Sequence, residues 1–198
     1  MSMRIISGTA KGRKILSPVN EGRITQKGEL RATRPTLDRV KVSMFNIISQ
    51  KIYGARVLDM FAGTGSLGLE CASRGASEVV FLEKFRETYD ILVENITILG
   101  FKEVSSVHHR DSYEFIKSLG SRGEKFDIIF VDPPYLNNMV EESIVLIGKY
   151  DLLTENGVIV SKYDYEEPIY RPTEKYELVD ERKYGKTILG FYQQRIEE

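Results

Sequence analysis

Residues 57–68 read Val57-Leu58-Asp59-Met60-Phe61-Ala62-Gly63-Thr64-Gly65-Ser66-Leu67-Gly68, an apolar run followed by closely spaced glycines. The apolar run predicts a short buried strand, and the glycines predict a turn that leads directly into a helix. Glycines at such a turn allow a ligand to approach the backbone at the N-terminus of the helix. This stretch therefore predicts a strand, a turn and a helix that together form a small-molecule site.

Short apolar runs and amphipathic segments alternate on the C-terminal side of this stretch. The pattern predicts strands at 56–60, 78–82, 104–108, 126–131 and 157–161, and helices at 66–74, 85–99, 113–119 and 141–150. Such an alternation is typical of a parallel sheet that is covered by helices on both faces. Two further segments, 176–179 and 187–193, predict an antiparallel hairpin at the edge of that sheet. We therefore predict an α/β fold with a seven-stranded mixed sheet.

The N-terminal part of the chain has a different character. Residues 4–16 read as two short strands around a glycine-bracketed turn, and residues 17–33 mix Pro, Gly, Asn and charged residues, as loops do. Thr36 is a candidate N-cap for an amphipathic helix that runs to about Lys51. We predict that residues 1–54 form an extension, with a basic β-hairpin and a helix, and that residues 55–198 form the main domain.

The composition excludes several classes of protein. Of the 198 residues 41% are hydrophobic, which is enough for a core and too much for a disordered or fibrous chain. The longest apolar runs have four residues, against the roughly 20 that a membrane helix needs, and no secretory signal is evident. Cys71 is the single cysteine, which excludes an internal disulfide and a cysteine-based zinc site. We therefore expect a cytoplasmic protein without a membrane or metal partner.

The net charge of −1 hides an asymmetry along the chain. Through Arg56 the chain carries 12 basic and 3 acidic residues, a charge of +9, and the remainder carries 16 basic and 26 acidic residues, a charge of −10. This distribution predicts a basic segment that meets a polyanion and is attached to an acidic body. An ordinary solvated surface on which the charges happen to segregate is the alternative.

Acidic residues accompany the glycine turn. Gly63, Gly65 and Gly68 satisfy the pattern G-x-G-x-x-G, and Glu83 lies twenty residues after Gly63, as in dinucleotide-binding sites. Asp59, however, precedes the turn, where its charge would repel a pyrophosphate and would suit a cationic ligand such as S-adenosylmethionine (SAM). Glu83 can accept hydrogen bonds from the ribose hydroxyls of either cofactor.

Asp111 follows the third predicted strand and has two candidate roles, which are compatible. It can reach the amino group of an adenine, and it can cap the helix that begins near Tyr113. The complete set of predicted cofactor contacts is Asp59, Phe61, Gly63, Gly65, Glu83 and Asp111.

The tetrapeptide Asp132-Pro133-Pro134-Tyr135 follows the fourth predicted strand. Ligands of open α/β sheets bind beyond the carboxyl ends of the strands, so this loop and the glycine turn should face one crevice. The amine of a nucleobase is a poor nucleophile because its lone pair is delocalised into the ring. Asp132 and the carbonyl of Pro133 can accept its N–H groups, localise the lone pair and stabilise charge as a methyl group arrives. Tyr135 offers a ring for the base, and such stacking is worth roughly 1–3 kcal/mol.

Several blocks of the sequence resemble known methyltransferases. Residues 58–70 resemble motif I of class I SAM-dependent methyltransferases, and residues 132–135 resemble motif IV of enzymes that methylate exocyclic amines of nucleic-acid bases. The whole chain resembles the RsmD family, bacterial methyltransferases that act on the N2 amine of a guanine in 16S ribosomal RNA. The less generic blocks carry this assignment: Arg4-Ile5-Ile6-Ser7-Gly8 with Lys11-Gly12-Arg13, Thr33-Arg34-Pro35-Thr36 with Asp38-Arg39-Val40, and Tyr184-Gly185-Lys186-Thr187.

The resemblance implies a Rossmann-like methyltransferase fold and specific site residues. It implies that Asp59, Gly63, Glu83 and Asp111 contact SAM, and that the catalytic residues Asp132 to Tyr135 hold the guanine. It also implies that residues 34–39 lie over the active site. The residues expected to contact the RNA substrate are Arg4, Lys11, Arg13, Arg34, Thr36 and Arg39.

The resemblance also implies a partner, which is small-subunit ribosomal RNA or a ribosomal assembly particle. Phosphate contacts would supply an affinity that falls with salt, and the pocket would supply the choice of base. One departure concerns the end of the fifth strand, where the family often has an acid and this chain has Ser161 and Lys162.

Three alternatives stay open at this point. A DNA adenine or cytosine amino-methyltransferase can share the motif at residues 132–135, although 198 residues leave little room for the target-recognition domain that such enzymes usually carry. A nicotinamide-dependent dehydrogenase can share the glycine pattern. An RNA-binding assembly factor without catalytic activity can share the basic segment.

Overall fold

Strands and helices alternate along the chain as the sequence pattern predicts. The computed structural model describes residues 3–18, 36–134, 139–167 and 175–195, without the side chains of residues 36–38. The strands are β1 (Arg56–Asp59), β2 (Glu78–Glu83), β3 (Ser105–His109), β4 (Phe126–Val131), β5 (Leu153–Asp164), β6 (Tyr176–Tyr184) and β7 (Thr187–Gln194). The helices are α1 (Thr36–Ile47), α2 (Ser66–Ser73), α3 (Arg86–Leu99), α4 (Ser112–Ser121) and α5 (Met139–Lys149), with 3₁₀ turns at Ser49–Lys51 and Lys102–Val104.

The seven strands form one mixed sheet in the order β3-β2-β1-β4-β5-β7-β6. Strands β1 to β5 pair in parallel, whereas β7 pairs antiparallel with both β5 and β6. Within the sheet, the path of the chain begins at β1, runs outward to β3, and then crosses back to β4 on the other side of β1. Open α/β sheets bind ligands at this kind of switch point. The predicted sheet and its antiparallel edge are confirmed.

Successive apolar side chains of the central strands point to opposite faces of the sheet, and helices cover both faces. Val57 of β1 belongs to a core that includes side chains of α1, α2 and α3, such as Met44 and Leu69. Leu58, the next residue, belongs to a second core with Ile116 of α4 and Ile144 of α5. Within the described ranges, no helix has the length and apolar character that crossing a membrane requires.

Two strands, β5 and β6, are much longer than predicted. β5 begins at Leu153 rather than Gly157, because Leu153 pairs with Phe126 and a register shift absorbs the polar residues that follow. β6 continues to Tyr184, through a charged stretch that reads as a turn in the sequence. As an edge strand, β6 can expose charged side chains along its length, which also discourages pairing with another chain.

The predicted N-terminal hairpin is present as a short antiparallel pairing, but its two arms are not regular strands. Among residues 3–18 the structure has one isolated antiparallel bridge, between Arg4 and Lys14, and no regular strand. The N–H groups of Ile5 and Ile15 donate across the segment, to the carbonyls of Arg13 at 3.0 Å and Met3 at 2.9 Å, whereas the N–H of Thr9 donates to the carbonyl of Ser73 in α2 at 2.8 Å. Gly8 has a φ of +83°, and a Cβ there would lie 1.8 Å from the same carbonyl oxygen. A short antiparallel pairing thus packs its turn closely against α2.

The start of α1 and the packing of the N-terminal segment can be compared with the predictions. Helix α1 begins at the predicted N-cap, Thr36, rather than after it. Ile5 and Ile15 belong to the same core as Val57 of the sheet. Side chains from both sides of residue 54 thus pack in one core. The predicted boundary after residue 54 stays a prediction, and it concerns function rather than packing.

Glu70 of α2 ties the N-terminal segment to the main fold. Its side chain is fully buried and accepts hydrogen bonds from the backbone N–H groups of Ile6 at 2.8 Å and Ser7 at 2.9 Å. It also forms ion pairs with Lys41 at 3.2 Å and Arg74 at 2.9 Å. No motif in the sequence predicts this role of Glu70. The available signal was a single acid within a helix of small and apolar residues.

Candidate active site

The carboxyl ends of the parallel strands bring four acidic residues to one edge of the sheet. Asp59 ends β1 and Glu83 ends β2, and Asp111 and Asp132 lie within two residues of the ends of β3 and β4. The strands are in register, because Asp59 pairs with Phe130 of β4 and Glu83 pairs with the last residue of β3. The glycine turn and the loop after β4 therefore face the same crevice.

A cavity of about 470 Å³, which we call the first cavity, opens along this edge. This volume lies in the range of roughly 300–1,000 Å³ that is typical of small-molecule sites. Its wall includes an aromatic pair, since the rings of Phe61 and Tyr113 meet edge to face with their centroids 6.1 Å apart. The residues that line it include Phe61, Gly63, Glu83, Lys84, Phe85, Asp111, Tyr113, Asp132, Pro133 and Pro134.

Glu83 is held at the wall of the first cavity by two backbone donors. The N–H of Gly63 donates to Oε2 and the N–H of Phe85 donates to Oε1, each at 2.7 Å. Each carboxylate oxygen has a further lone pair. Glu83 can therefore accept hydrogen bonds from two adjacent hydroxyl groups, such as those of a ribose.

The three glycines of the turn have different roles. Gly63, with a φ of +54°, borders open space, and a Cβ there would have no neighbour within 4 Å. A Cβ at Gly65 would lie 2.4 Å from Leu92, and a Cβ at Gly68 would lie 2.2 Å from the ring of Phe81. Gly63 therefore leaves the backbone accessible to a ligand, and the other two allow α2 to pack closely. Gly65, a predicted cofactor contact, is outside the lining of the first cavity.

Asp59 lies where a dinucleotide site would hold its pyrophosphate. Its side chain is 1% exposed, and its Oδ2 accepts a hydrogen bond at 3.0 Å from the N–H of Gly68 in the first turn of α2. Burial, together with the charges of Asp132 and Glu83, raises the pKa of Asp59 to about 7. Because the protein's own carboxylate occupies the helix N-terminus, the site disfavours a diphosphate and suits a cationic ligand. This geometry fits SAM and argues against a nicotinamide dinucleotide.

Asp111 has the capping role predicted for it. Its Oδ1 accepts hydrogen bonds from the N–H groups of Tyr113 at 3.0 Å and Glu114 at 3.4 Å, at the start of α4. Its Oδ2 pairs with Lys84 at 2.9 Å, and this hydrogen bond lowers the pKa of Asp111. The same carboxylate lines the first cavity. A contact to an adenine amino group therefore stays a prediction that is compatible with the cap.

Asp132 also borders a second cavity, of about 170 Å³, on the side of the N-terminal segment and α1. The side chains that line this second cavity are Met3, Arg4, Val40, Lys41, Met44, Ser66, Leu67, Asp132 and Lys162. Of the residues that the structure describes, Asp132 alone lines both cavities. The second cavity is the more basic of the two, because Arg4, Lys41 and Lys162 contribute to it.

Lys162, near the end of β5, contacts the carboxylate of Asp132 directly. Its Nζ lies 2.6 Å from Oδ2, and the lysine is 8% exposed. In the sequence, Lys162 stands out only as a departure from a family pattern, and no local pattern predicts this contact. The register that creates it, with Val131 beside Ser161, becomes visible only once β4 and β5 are paired.

The predicted RNA contacts do not form a single cluster in the structure. Arg4 lines the second cavity, whereas Lys11 and Arg39 are exposed on the N-terminal turn and on α1. Arg13 donates to the carbonyl of Leu99 at 3.3 Å, so it caps the C-terminal end of α3. Its guanidinium has a structural partner that the sequence did not predict.

Some predicted site residues fall outside the described part of the chain. These are Arg34, Tyr135 and, for its side chain, Thr36. Among the residues that are described, no group of three His, Cys, Asp or Glu side chains is arranged to hold a metal ion.

Comparisons with known proteins give consistent matches. A family model described as Conserved hypothetical protein 95 matches residues 3–193. Ribosomal RNA small subunit methyltransferase D of Haemophilus influenzae is 34% identical over 192 residues, which cover 96% of this chain and 93% of that protein. The protein of the same name from Escherichia coli K12 is 30% identical over 195 residues, covering 98% and 91%. The solved structure of the Escherichia coli protein yhhF matches with a TM-score of 0.81 at 28% identity and covers 98% of both chains.

Proposed function

Because this chain belongs to the family described as Conserved hypothetical protein 95, we propose that it is a SAM-dependent methyltransferase of small-subunit ribosomal RNA. Relatives that match over nearly its whole length carry the name ribosomal RNA small subunit methyltransferase D. The resemblance to the RsmD family narrows the acceptor to the N2 amine of a guanine in bacterial 16S ribosomal RNA. That substrate makes the bacterial cytoplasm the site of the reaction.

The observation that carries this proposal is the position of Asp132 between the two cavities. The first cavity offers carboxylates to a cationic, ribose-containing cofactor, and the second is lined by basic side chains. A methyl donor and a base that enter from opposite sides would meet at Asp132. Transfer then depends mainly on holding the reacting atoms close together and in line.

The residues of the first cavity fit SAM, which supplies an electrophilic methyl group on its sulfonium when it is bound. Glu83 would accept the two ribose hydroxyls, and the charge of Asp59, which is buried outside the lining of the first cavity, would attract the cationic methionine end. Phe61 and Phe85 offer apolar surface for the adenine, and Asp111 offers an acceptor for its amino group. The backbone at Gly63 permits close approach.

Asp132 and the carbonyl of Pro133 would accept the two N–H bonds of the guanine N2 amine. These acceptors localise the nitrogen lone pair and stabilise the positive charge that develops on the amine. The nitrogen forms a bond to the methyl carbon as the sulfur–carbon bond breaks, and one proton then leaves the nitrogen to solvent. The guanine has to leave any base stack to enter the site.

We propose that residues 1–54 face the RNA. This proposal rests on the charge of +9 through Arg56 and on the position of Arg4 and Lys41 in the second cavity. Exposed Lys11 and Arg39 lie on the same N-terminal part of the chain and can contact phosphates. Such contacts give affinity without sequence preference.

Small subunits from cells that lack the protein provide the test of this function. With SAM that carries a labelled methyl group, label is expected at one guanine, mapped as N2-methylguanine by mass spectrometry. Subunits from wild-type cells, whose site is already methylated, serve as the control and should accept little label. Label in DNA instead would favour a DNA amino-methyltransferase. Salt-dependent RNA binding without any transfer would favour a non-catalytic assembly factor.

The affinity for SAM is expected to rise about tenfold between pH 6 and pH 8. The pKa of Asp59, about 7, leaves its carboxylate largely protonated at the lower pH and largely ionised at the higher, where it attracts the cationic ligand. Calorimetric titration at several pH values measures the effect. Asp59→Asn keeps the shape of the side chain, so it should bind SAM more weakly at pH 8 and should lose most of the pH dependence. An unchanged pH profile in Asp59→Asn would contradict the assignment.

The same pKa shift has the opposite consequence for folding without SAM. Since the unfolded pKa of an aspartate is about 3.9, the folded protein holds the extra proton between roughly pH 4 and pH 7. The contribution of Asp59 to the free energy of unfolding therefore decreases as the pH rises through that window. Bound SAM offsets this loss because it stabilises the ionised carboxylate.

A further inference from the structure

Lys162 and Asp132 are neighbours because of the register between β4 and β5. Val131 pairs with Ser161 in these parallel strands, so the next residues along each strand, Asp132 and Lys162, lie side by side. Their side chains meet at the boundary of the second cavity, with Nζ 2.6 Å from Oδ2. The side chains of the lysine and the aspartate are only 10% and 23% exposed.

This ion pair is placed where it affects the reacting carboxylate. A nearly buried ammonium is costly unless it is paired, and here its partner is a residue that contacts the substrate amine in the proposed reaction. The pair engages Oδ2 of Asp132, which leaves Oδ1 as the oxygen that can accept from an amine. The same pair belongs to a cluster of charges, since Asp132, Glu83 and Lys162 all act electrostatically on Asp59.

We propose that Lys162 is a positioning residue for the methyl-transfer step. It holds Asp132 through one carboxylate oxygen, so that the other points at the amine of the target base. It also offsets the negative charge that Asp59, Glu83 and Asp132 place beside the reacting atoms. This inference rests on the proposed function, because it assigns Lys162 a role in that reaction.

The test compares Lys162→Met, which keeps the apolar stem and removes the charge, with Lys162→Arg, which keeps a cationic donor. Single-turnover transfer to undermethylated small subunits, at saturating SAM, is expected to fall on the order of 100-fold in Lys162→Met. The dissociation constants for SAM and for the subunit should change less than about threefold. Lys162→Arg should recover at least part of the lost rate. Lys102→Met, at an exposed 3₁₀ turn on the opposite edge of the sheet, is the matched control and should behave as wild type.

A double-mutant cycle separates positioning from a general structural role. In an Asp132→Asn background, Lys162→Met should cause little further loss of rate, because the lysine acts through Asp132. A wild-type rate in Lys162→Met, or an equal additional loss in the Asp132→Asn background, would overturn the inference. If Lys162→Met does not fold, Lys162→Gln replaces it, because glutamine also lacks the ammonium group. A wild-type rate in Lys162→Gln would again overturn the inference. Absence of transfer in the wild type would instead refute the proposed function.

Discussion

Replacing Asp132 with alanine is expected to abolish methyl transfer, with a fall of about 10³-fold in the single-turnover rate and little change in SAM binding. In the proposed reaction the carboxylate is one of two acceptors for the base amine, and no other described acidic residue lines both cavities. Without it, the lone pair of the amine stays delocalised into the ring. The proposed cofactor interactions of Glu83, Asp59 and Asp111 do not involve Asp132, so the dissociation constant of SAM should change less than about threefold.

Asp132→Asn sharpens this prediction because it preserves the shape of the side chain. Its amide oxygen can still accept from Lys162, and its NH₂ group then faces the base amine, where an acceptor is needed. Turnover should therefore be lost although the fold is retained. The charge of Asp132 raises the pKa of Asp59, so the same variant should shift the pH midpoint of SAM binding to lower pH.

The control for both variants is Asp90→Asn, on the exposed face of α3, where the carboxylate pairs with Arg86 at the surface. Rapid quenching with labelled SAM measures the rate, and calorimetry measures cofactor binding. Near-normal methylation of small subunits by Asp132→Asn would contradict the mechanism. Loss of SAM binding in parallel with loss of rate would show that Asp132 serves the cofactor and not the base.

The sequence predicts the positions of Asp59, Glu83 and Asp132 because of a general property of parallel sheets. Each residue follows an apolar run that reads as a buried strand, and the carboxyl ends of such strands lie on one edge. Local sequence therefore suffices to bring these three carboxylates to a common edge. The volume of the first cavity and the backbone donors to Glu83 add detail that does not change the prediction.

The contacts that the sequence does not predict depend on pairs of residues far apart in the chain. Lys162 meets Asp132 through the register of β4 and β5, and no local pattern specifies that register. Gly65 fits the cofactor pattern by spacing, yet its missing side chain makes room for Leu92, which lies on another helix. The N-terminal strands are irregular for a similar reason, since some backbone donors of residues 4–16, such as that of Thr9, find their acceptors on α2. Local patterns predict elements well and predict contacts between elements poorly.

Glu70→Gln is expected to lower the free energy of unfolding by about 3 kcal/mol, and Glu70→Ala by as much as about 5 kcal/mol. The carboxylate is fully buried and is shared by two backbone donors and two cations. Removing its charge leaves Lys41 and Arg74 without their buried partner. Glutamine retains an acceptor for one of the donors from Ile6 and Ser7, so it should cost less than alanine. Urea unfolding followed by circular dichroism measures the difference.

Glu94→Gln, at an exposed position of α3, is the matched control and should leave the unfolding midpoint within experimental error. Hydrogen exchange gives a second readout, because the amides of Ile6 and Ser7 donate directly to Glu70 and should lose protection first. Equal unfolding midpoints for Glu70→Gln and Glu94→Gln would show that the buried network contributes nothing net to stability.

The expected result also links stability to function. Glu70 fixes Lys41 and the segment that carries Arg4, and both residues line the second cavity. At temperatures where Glu70→Gln is still folded, it should therefore lose affinity for the ribosomal subunit while binding SAM normally, because its effect falls on the wall of the second cavity, through which the base enters in the proposed reaction.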